Sequence, residues 1–385
     1  MKDRPERQQI KFIMKNKQSS IINHQSSIIN HQSSIIRVLV IEDSPTAREL
    51  IVHILKGDPG IAVIGTAENG EETLRFLGRE KPDIITMDIQ MPGMNGFDLT
   101  RRIMHQYAIP IVLVTGLYDV QDADVVFKTM EAGALTVIQK PVSPWHGDFE
   151  AHARELIRTV RLMSEVKVVR RRENAIGPAN HSTTGAAAKK EKRLFRYRIV
   201  VMAASTGGPS AYHEILSKLP RDFPLPILMV QHISRGFLKG FADWLNGVSV
   251  LPIRIASQRE KAEPGNVYIA PEEHFMGIDP QGHLHLSPFG SPGDITLSAS
   301  RLFASAVESY GSGTIGILLT GMGTDGAKEL KEIKNREGLT IIQDRESSTV
   351  FGMPGEALKQ DAARYVLSPD GIALILPRLV KSEME

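Results

Sequence analysis

Residues 84–96 read IITMDIQMPGMNG: a short apolar run, 84–87, stops at Asp88, and a stretch carrying Pro92, Gly93, Asn95 and Gly96 follows. A bounded apolar run of four reads as a buried strand, and the polar residue straight after it marks the strand's carboxyl end. The pattern recurs on both sides. Residues 38–41 (VLVI) stop at Glu42 and Asp43, 62–64 (AVI) form another short run, 111–114 (IVLV) stop at Thr115, and 136–138 (TVI) lead to Lys140. Five such strands alternating with amphipathic stretches predict a doubly wound parallel α/β sheet. The functional crevice of such a sheet lies beyond the carboxyl ends of its strands, where Glu42, Asp43, Asp88, Thr115 and Lys140 all fall.

Converging carboxylates repel one another unless a cation sits among them, and an oxygen-only cluster suits Mg²⁺. A lysine opposite supplies a positive charge for a phosphoryl oxygen, and a threonine hydroxyl can hydrogen-bond another. The set equips a carboxylate to attack phosphorus. Each residue alone has a structural explanation, such as an aspartate capping the next helix. Together, and with the stretch 87–96, they resemble the receiver domain of two-component response regulators over roughly residues 37–160. The resemblance implies a flavodoxin-like fold and phosphorylation of Asp88. It also implies Mg²⁺ held by Glu42, Asp43, Asp88 and the backbone carbonyl of Gln90, with Thr115 and Lys140 contacting the phosphoryl group. Where the family often has an aromatic switch residue, three positions before the lysine, this sequence has Val137.

The chain has 385 residues, more than one ordinary core organises, so two domains are expected. Lys+Arg 46 against Asp+Glu 44 gives a formal net charge of +2, no global pull toward nucleic acid or anionic membrane. The absence of cysteine excludes disulfides, thiolate catalysis and cysteine metal sites. Neither a signal-peptide core nor a membrane-spanning stretch is seen, so a cytoplasmic protein without membrane insertion is expected. Residues 1–36 contain the repeat QSSIINH at 18–24 and 25–31, truncated from Gln32, and read as a disordered low-complexity extension. Residues 161–196 lose the apolar pattern, carry Arg170–Arg172 and Lys189–Lys190, and read as a flexible basic linker.

From 197 to 385 a second alternating series follows, with strands at 199–203, 227–230, 253–256, 267–270, 315–319 and 340–342. A second doubly wound parallel domain, Rossmann-like, is expected. Its first strand runs into VVMAASTGGP (200–209), where small residues surround Ser205. Ala203, Ala204, Gly207 and Gly208 are expected to let a substrate approach the backbone, with Pro209 in the first helical turn. A serine there could equally be a helix N-cap. As a nucleophile it needs a base, and of the 12 histidines His232 follows the next strand directly, in MVQH (229–232). In LLTGMGTDG (318–326), Asp325 could orient the imidazole, or cap a helix at 327–334.

The order Ser, His, Asp and the lack of G-x-S-x-G set this apart from α/β-hydrolases. These segments, with QH (231–232), VYIAP (267–271) and VFGMP (350–354), resemble the chemotaxis protein-glutamate methylesterase family, from about 197 to near the C-terminus. The resemblance implies Ser205 as nucleophile, His232 as base and then acid, Asp325 as orienting carboxylate and the Met322 backbone N–H as oxyanion donor. Ester hydrolysis would need no cofactor. Two departures are Ala203, where the family commonly has glycine, and Thr324, where it often has asparagine. The activity implied is hydrolysis of glutamate methyl esters on methyl-accepting chemotaxis receptors, with deamidation of receptor glutamines second. A CheA-type histidine kinase would be the phosphodonor, and the unphosphorylated receiver would cover the hydrolase cleft. The rival, a DNA-binding regulator gripping phosphate through the basic linker, is disfavoured by a second half too strand-rich for a helix-turn-helix module, so no nucleic-acid partner is expected.

Overall fold

The computed structural model describes residues 35–116, 120–142, 146–166, 168, 196–290 and 298–381. The N-terminal repeat up to Ser34 and residues 169–195 of the expected linker lie outside them.

In the first half, β1 (Ile36–Ile41), α1 (Pro45–Lys56), β2 (Ile61–Ala67), α2 (Gly70–Leu77), β3 (Ile84–Met87) and α3 (Gly96–Gln106) are followed by β4 (Ile111–Thr115), α4 (Val120–Glu131), β5 (Thr136–Gln139) and α5 (Phe149–Ser164). The strands pair in parallel in the order β2-β1-β3-β4-β5. Every residue of β3 and β4 is buried, as expected of a sheet covered on both faces. Within the stretch 84–96, Asn95 caps α3 by accepting from Asp98 N–H at 2.8 Å. Helix α5 continues to Ser164, past the boundary expected at 160.

The second half contains β6 (Ile199–Ala204), α6 (Gly208–Leu216), β7 (Ile227–Gln231), α7 (Leu238–Asn246), β8 (Ile253–Ile255) and β9 (Val267–Ile269). Then come the hairpin β10 (His274–Ile278) and β11 (Leu284–Pro288), α8 (Ser298–Tyr310), β12 (Thr314–Leu318), α9 (Ala327–Asn335), β13 (Leu339–Gln343), α10 (Met353–Lys359), β14 (Tyr365–Leu367) and α11 (Pro369–Lys381). Seven strands pair in parallel in the order β14-β13-β12-β6-β7-β9-β8. From β6 the chain lays β7, the edge strand β8 and then β9 between them on one side, and β12, β13 and β14 on the other, so the switch point lies between β6 and β12. In the first sheet it lies between β1 and β3.

The two halves share one hydrophobic cluster. Phe127 of α4 is fully buried, its ring 5.3 Å from that of Trp244 and 5.4 Å from that of Phe241, both on α7. Beside them, Ser234 Oγ lies 2.7 Å from Glu155 Oε1 and 3.2 Å from the Val137 carbonyl, partners for one hydroxyl proton.

Candidate active and phosphoacceptor sites

The first switch point gathers the acidic residues. Glu42 and Asp88 are buried, Asp43 is half-buried, and the three offer carboxylate oxygens within 4.8 Å of one another. Lys140 Nζ reaches Asp88 Oδ2 at 2.6 Å and Glu42 Oε2 at 2.9 Å. Burial pushes the Glu42 carboxyl up, although the Lys140 hydrogen bond pulls the other way. Burial acts to lower Lys140, but its hydrogen bonds and charge interactions with Asp88 and Glu42 outweigh that and leave it raised. Asp88 Oδ1 accepts from Ile89 N–H at 2.7 Å, which fixes its carboxylate. Thr115 is buried at the end of β4, and its carbonyl accepts from Lys140 N–H at 3.0 Å. Lys140 Nζ also donates to Glu42 Oε1 at 3.0 Å, so the ammonium lies against both Glu42 oxygens. Three carboxylates converging in an all-oxygen set fit a hard divalent cation such as Mg²⁺.

At the second switch point, register pairs Ala204 with Gln231, so Ser205 and His232 leave adjacent strands side by side. Ser205 N–H donates to Thr320 O at 3.0 Å, tying the serine turn to the turn after β12. His232 Nε2 lies 3.0 Å from Asp325 Oδ2. The two Asp325 oxygens also accept from Ala299 N–H at 2.8 Å and Ser300 N–H at 2.9 Å, at the start of α8. The helix that Asp325 caps is therefore α8, not the helix at 327 onward. The two Asp325 oxygens thus sit at the positive end of the α8 dipole as well as against the imidazole. Among the described residues, no hydrogen bond joins Ser205 Oγ to His232, and the Met322 N–H donates to nothing.

The small residues around Ser205 act differently from the sequence expectation. Ala203 and Ala204 are fully buried. Gly207 has φ +78°, and a Cβ there would lie 2.2 Å from Thr349 Oγ1. A Cβ on Gly208 would lie 2.1 Å from Gln231 Oε1. The glycines admit the protein's own side chains. Several supporting residues were not singled out from sequence. Thr320 Oγ1 lies 2.9 Å from the Thr206 carbonyl and accepts from Val350 N–H at 2.9 Å, while Thr320 N–H donates to Gln343 Oε1 at 2.8 Å. The segment 350–354 had signalled its importance only by resemblance. It seats Gly321, whose carbonyl accepts from Gly352 and Met353.

A receiver sheet joined to a second parallel sheet with a Ser, His and Asp at its switch point defines a response regulator with a hydrolase-type output domain. The family model for the response regulator receiver domain matches residues 38–146, and that for CheB methylesterase matches 200–376. A protein-glutamate methylesterase/protein-glutamine glutaminase 1 of Syntrophus aciditrophicus is 45% identical over 349 residues, 90% of this chain and 99% of its own. One from Nitrosospira multiformis is 46% identical, covering 91% of this chain and 98% of its own. The crystal structure of the Thermotoga maritima CheB methylesterase catalytic domain aligns with a TM-score of 0.44 at 37% identity, covering 48% of this chain and 99% of that one. This chain belongs to the CheB family of protein-glutamate methylesterase/protein-glutamine glutaminases. No helix among the described residues is long and apolar enough to cross a membrane.

Proposed function

We propose that this chain is a phosphorylation-controlled hydrolase of the cytoplasm that removes methyl esters from glutamates of methyl-accepting chemotaxis receptors. The observation that carries it is the His232–Asp325 pair at 3.0 Å, on the same sheet edge as Ser205 and in one chain with the acidic pocket. Asp325 accepts from Nε2–H, which leaves Nδ1 as the base. Ser205 Oγ attacks the ester carbonyl and His232 Nδ1 takes its proton. The tetrahedral oxyanion is met by the Met322 N–H. Collapse expels methanol with the proton from His232, and water then hydrolyses the acyl-serine to free glutamate and Ser205. The same steps on a glutamine side chain release ammonia, the deamidation that we assign second.

In the receiver, Glu42, Asp43, Asp88 and the Gln90 carbonyl would hold Mg²⁺, which when bound neutralises charge on a phosphoryl group. A CheA-type histidine kinase donates the phosphoryl group to Asp88, and Thr115 and Lys140 bind its oxygens. Lys140 then changes partners at the end of β5. That strand carries the Val137 carbonyl, which reaches Ser234 two residues from His232. In our reading the signal passes through this backbone contact and the Phe127 packing, and no aromatic side chain at position 137 is required. Methanol release from a methylated receptor, with and without a small phosphodonor, tests both halves. Ser205→Ala abolishes release at every phosphodonor level; a Ser205→Ala protein that still releases methanol ends the nucleophile assignment.

A further inference from the structure

The last backbone rung between β6 and β7 is His232 N–H donating to Ala204 O at 3.1 Å. Beyond it the two chains turn apart, and the next carbonyls are those of Ser205 and His232. One side chain serves both: Gln231 Nε2 donates to Ser205 O at 2.9 Å and to His232 O at 2.9 Å. We propose that Gln231 is a positioning residue, extending the ladder by one side-chain rung and fixing the serine turn against the histidine turn. The inference rests on Ser205 and His232 being nucleophile and base.

The chemistry of the rung is specific. A carboxamide nitrogen is a neutral group with two protons to give, one for each carbonyl. Its orientation is decided by those carbonyls, because a flipped amide would set Oε1 against two acceptors. The remaining oxygen, Gln231 Oε1, is buried without a hydrogen-bond partner, so the fold tolerates an orphan acceptor to keep both donors where they are. It occupies the space beside Gly208, where a Cβ would lie 2.1 Å from Oε1 and 2.7 Å from the Ala204 Cβ. The second glycine of the serine turn is thereby explained as room for Gln231. Gly208 N–H also donates to Ser205 O at 2.9 Å, so that carbonyl is held from two sides. Nucleophile and base must come within hydrogen-bond reach for catalysis, and a frame that sets their spacing acts on kcat rather than on receptor docking.

The test uses the full chain with Mg²⁺ and acetyl phosphate, following methanol release from a methylated receptor. Gln231→Leu keeps the volume and removes both donors. We expect kcat to fall about a hundredfold with KM within about twofold. Labelling of Ser205 by a small fluorophosphonate, which needs an activated serine but no receptor, falls in parallel. Gln231→Asn, with both donors one methylene short, loses less than the leucine variant. Gly208→Ala displaces the carboxamide and lowers kcat as well, and the double variant is no slower than the slower single one. Wild-type kcat in Gln231→Leu, or losses that multiply in the double variant, overturns the proposal. Should the leucine variant not fold, wild-type kcat in a Gly208→Ala protein with unchanged thermal unfolding overturns it equally. An inactive Ser205→Ala beside a fully active Gln231→Leu removes only the role of Gln231, whereas an active Ser205→Ala removes the nucleophile on which it rests.

Discussion

Asp325 accepts three hydrogen bonds on two oxygens, from His232 Nε2 and from the first amides of α8, so it serves the imidazole and the helix at once. An asparagine there can present only one accepting oxygen to these three donors. Asp325→Asn is therefore expected to slow methanol release roughly 10³- to 10⁴-fold, by analogy with other orienting aspartates. Asp325→Ala also forfeits the cap and costs about 1 kcal/mol of stability. Methanol release and urea unfolding separate the two effects, and an asparagine variant within tenfold of wild type would show that Asp325 does not orient the base. The placement of Ser205 and His232 was legible in the sequence because each comes straight after a strand, and that of Asp325 because it lies in the glycine-punctuated turn after β12; a parallel sheet brings such positions to one edge. The contacts of Gln231, Thr320, Gln343 and Thr349 were not. Their contribution depends on how far a side chain reaches between turns distant in sequence, 23 residues for Gln343 and Thr320, 26 for Gln231 and Ser205 and 30 for Thr320 and Val350, and no local pattern encodes it.

At the scale of elements, the parallel strands were legible because strands covered on both faces are nearly continuous apolar runs, such as β12 and β13. The misses have physical reasons. β14 has three residues, all half-buried at the sheet edge, and the β10–β11 hairpin stands outside the parallel sheet. Helix α7 has no side-chain cap of its own. Its start is bonded by Glu272, which accepts from Gly236 N–H at 2.8 Å and Leu238 N–H at 3.3 Å from 34 residues away. Helix α5 is likewise fixed from a distance, by Arg161 on Asp58 in the turn before β2. The Arg161 hydrogen bond holds the Asp58 carboxyl below its ordinary 3.8. Below that value the unfolded chain binds more protons than the folded one. The stabilisation from Asp58 is thus complete above 3.8 and is lost as pH falls through the lower folded pKa. Comparing urea unfolding of wild type and Asp58→Asn across pH 3–5, about a unit on either side of that value, should show a stability difference that narrows toward the acid end. A difference independent of pH would mean that the carboxylate charge is not what binds α5.

For the whole molecule, the sequence marked two domains but not how they meet. The pattern of α4 looks like an ordinary amphipathic helix, yet Phe127 is buried against Phe241 and Trp244 of the other half. Two of the rings that pack on Phe127 belong to α7, so shortening it weakens the docked arrangement. Truncating a buried phenylalanine costs about 3–5 kcal/mol, and each 1.4 kcal/mol is a tenfold change in an equilibrium constant. Phe127→Ala should therefore shift the docking equilibrium by at least about a hundredfold toward the open form. If the receiver inhibits by covering the cleft, this variant releases methanol without phosphodonor at nearly the rate that wild type reaches with it. Acetyl phosphate then adds little. Asp88→Asn combined with Phe127→Ala distinguishes mechanical release from easier phosphorylation: the double variant stays active if the contact itself restrains the esterase. Should Phe127→Ala remain as slow as unphosphorylated wild type while unfolding normally, the packing of α4 on α7 is not the restraint.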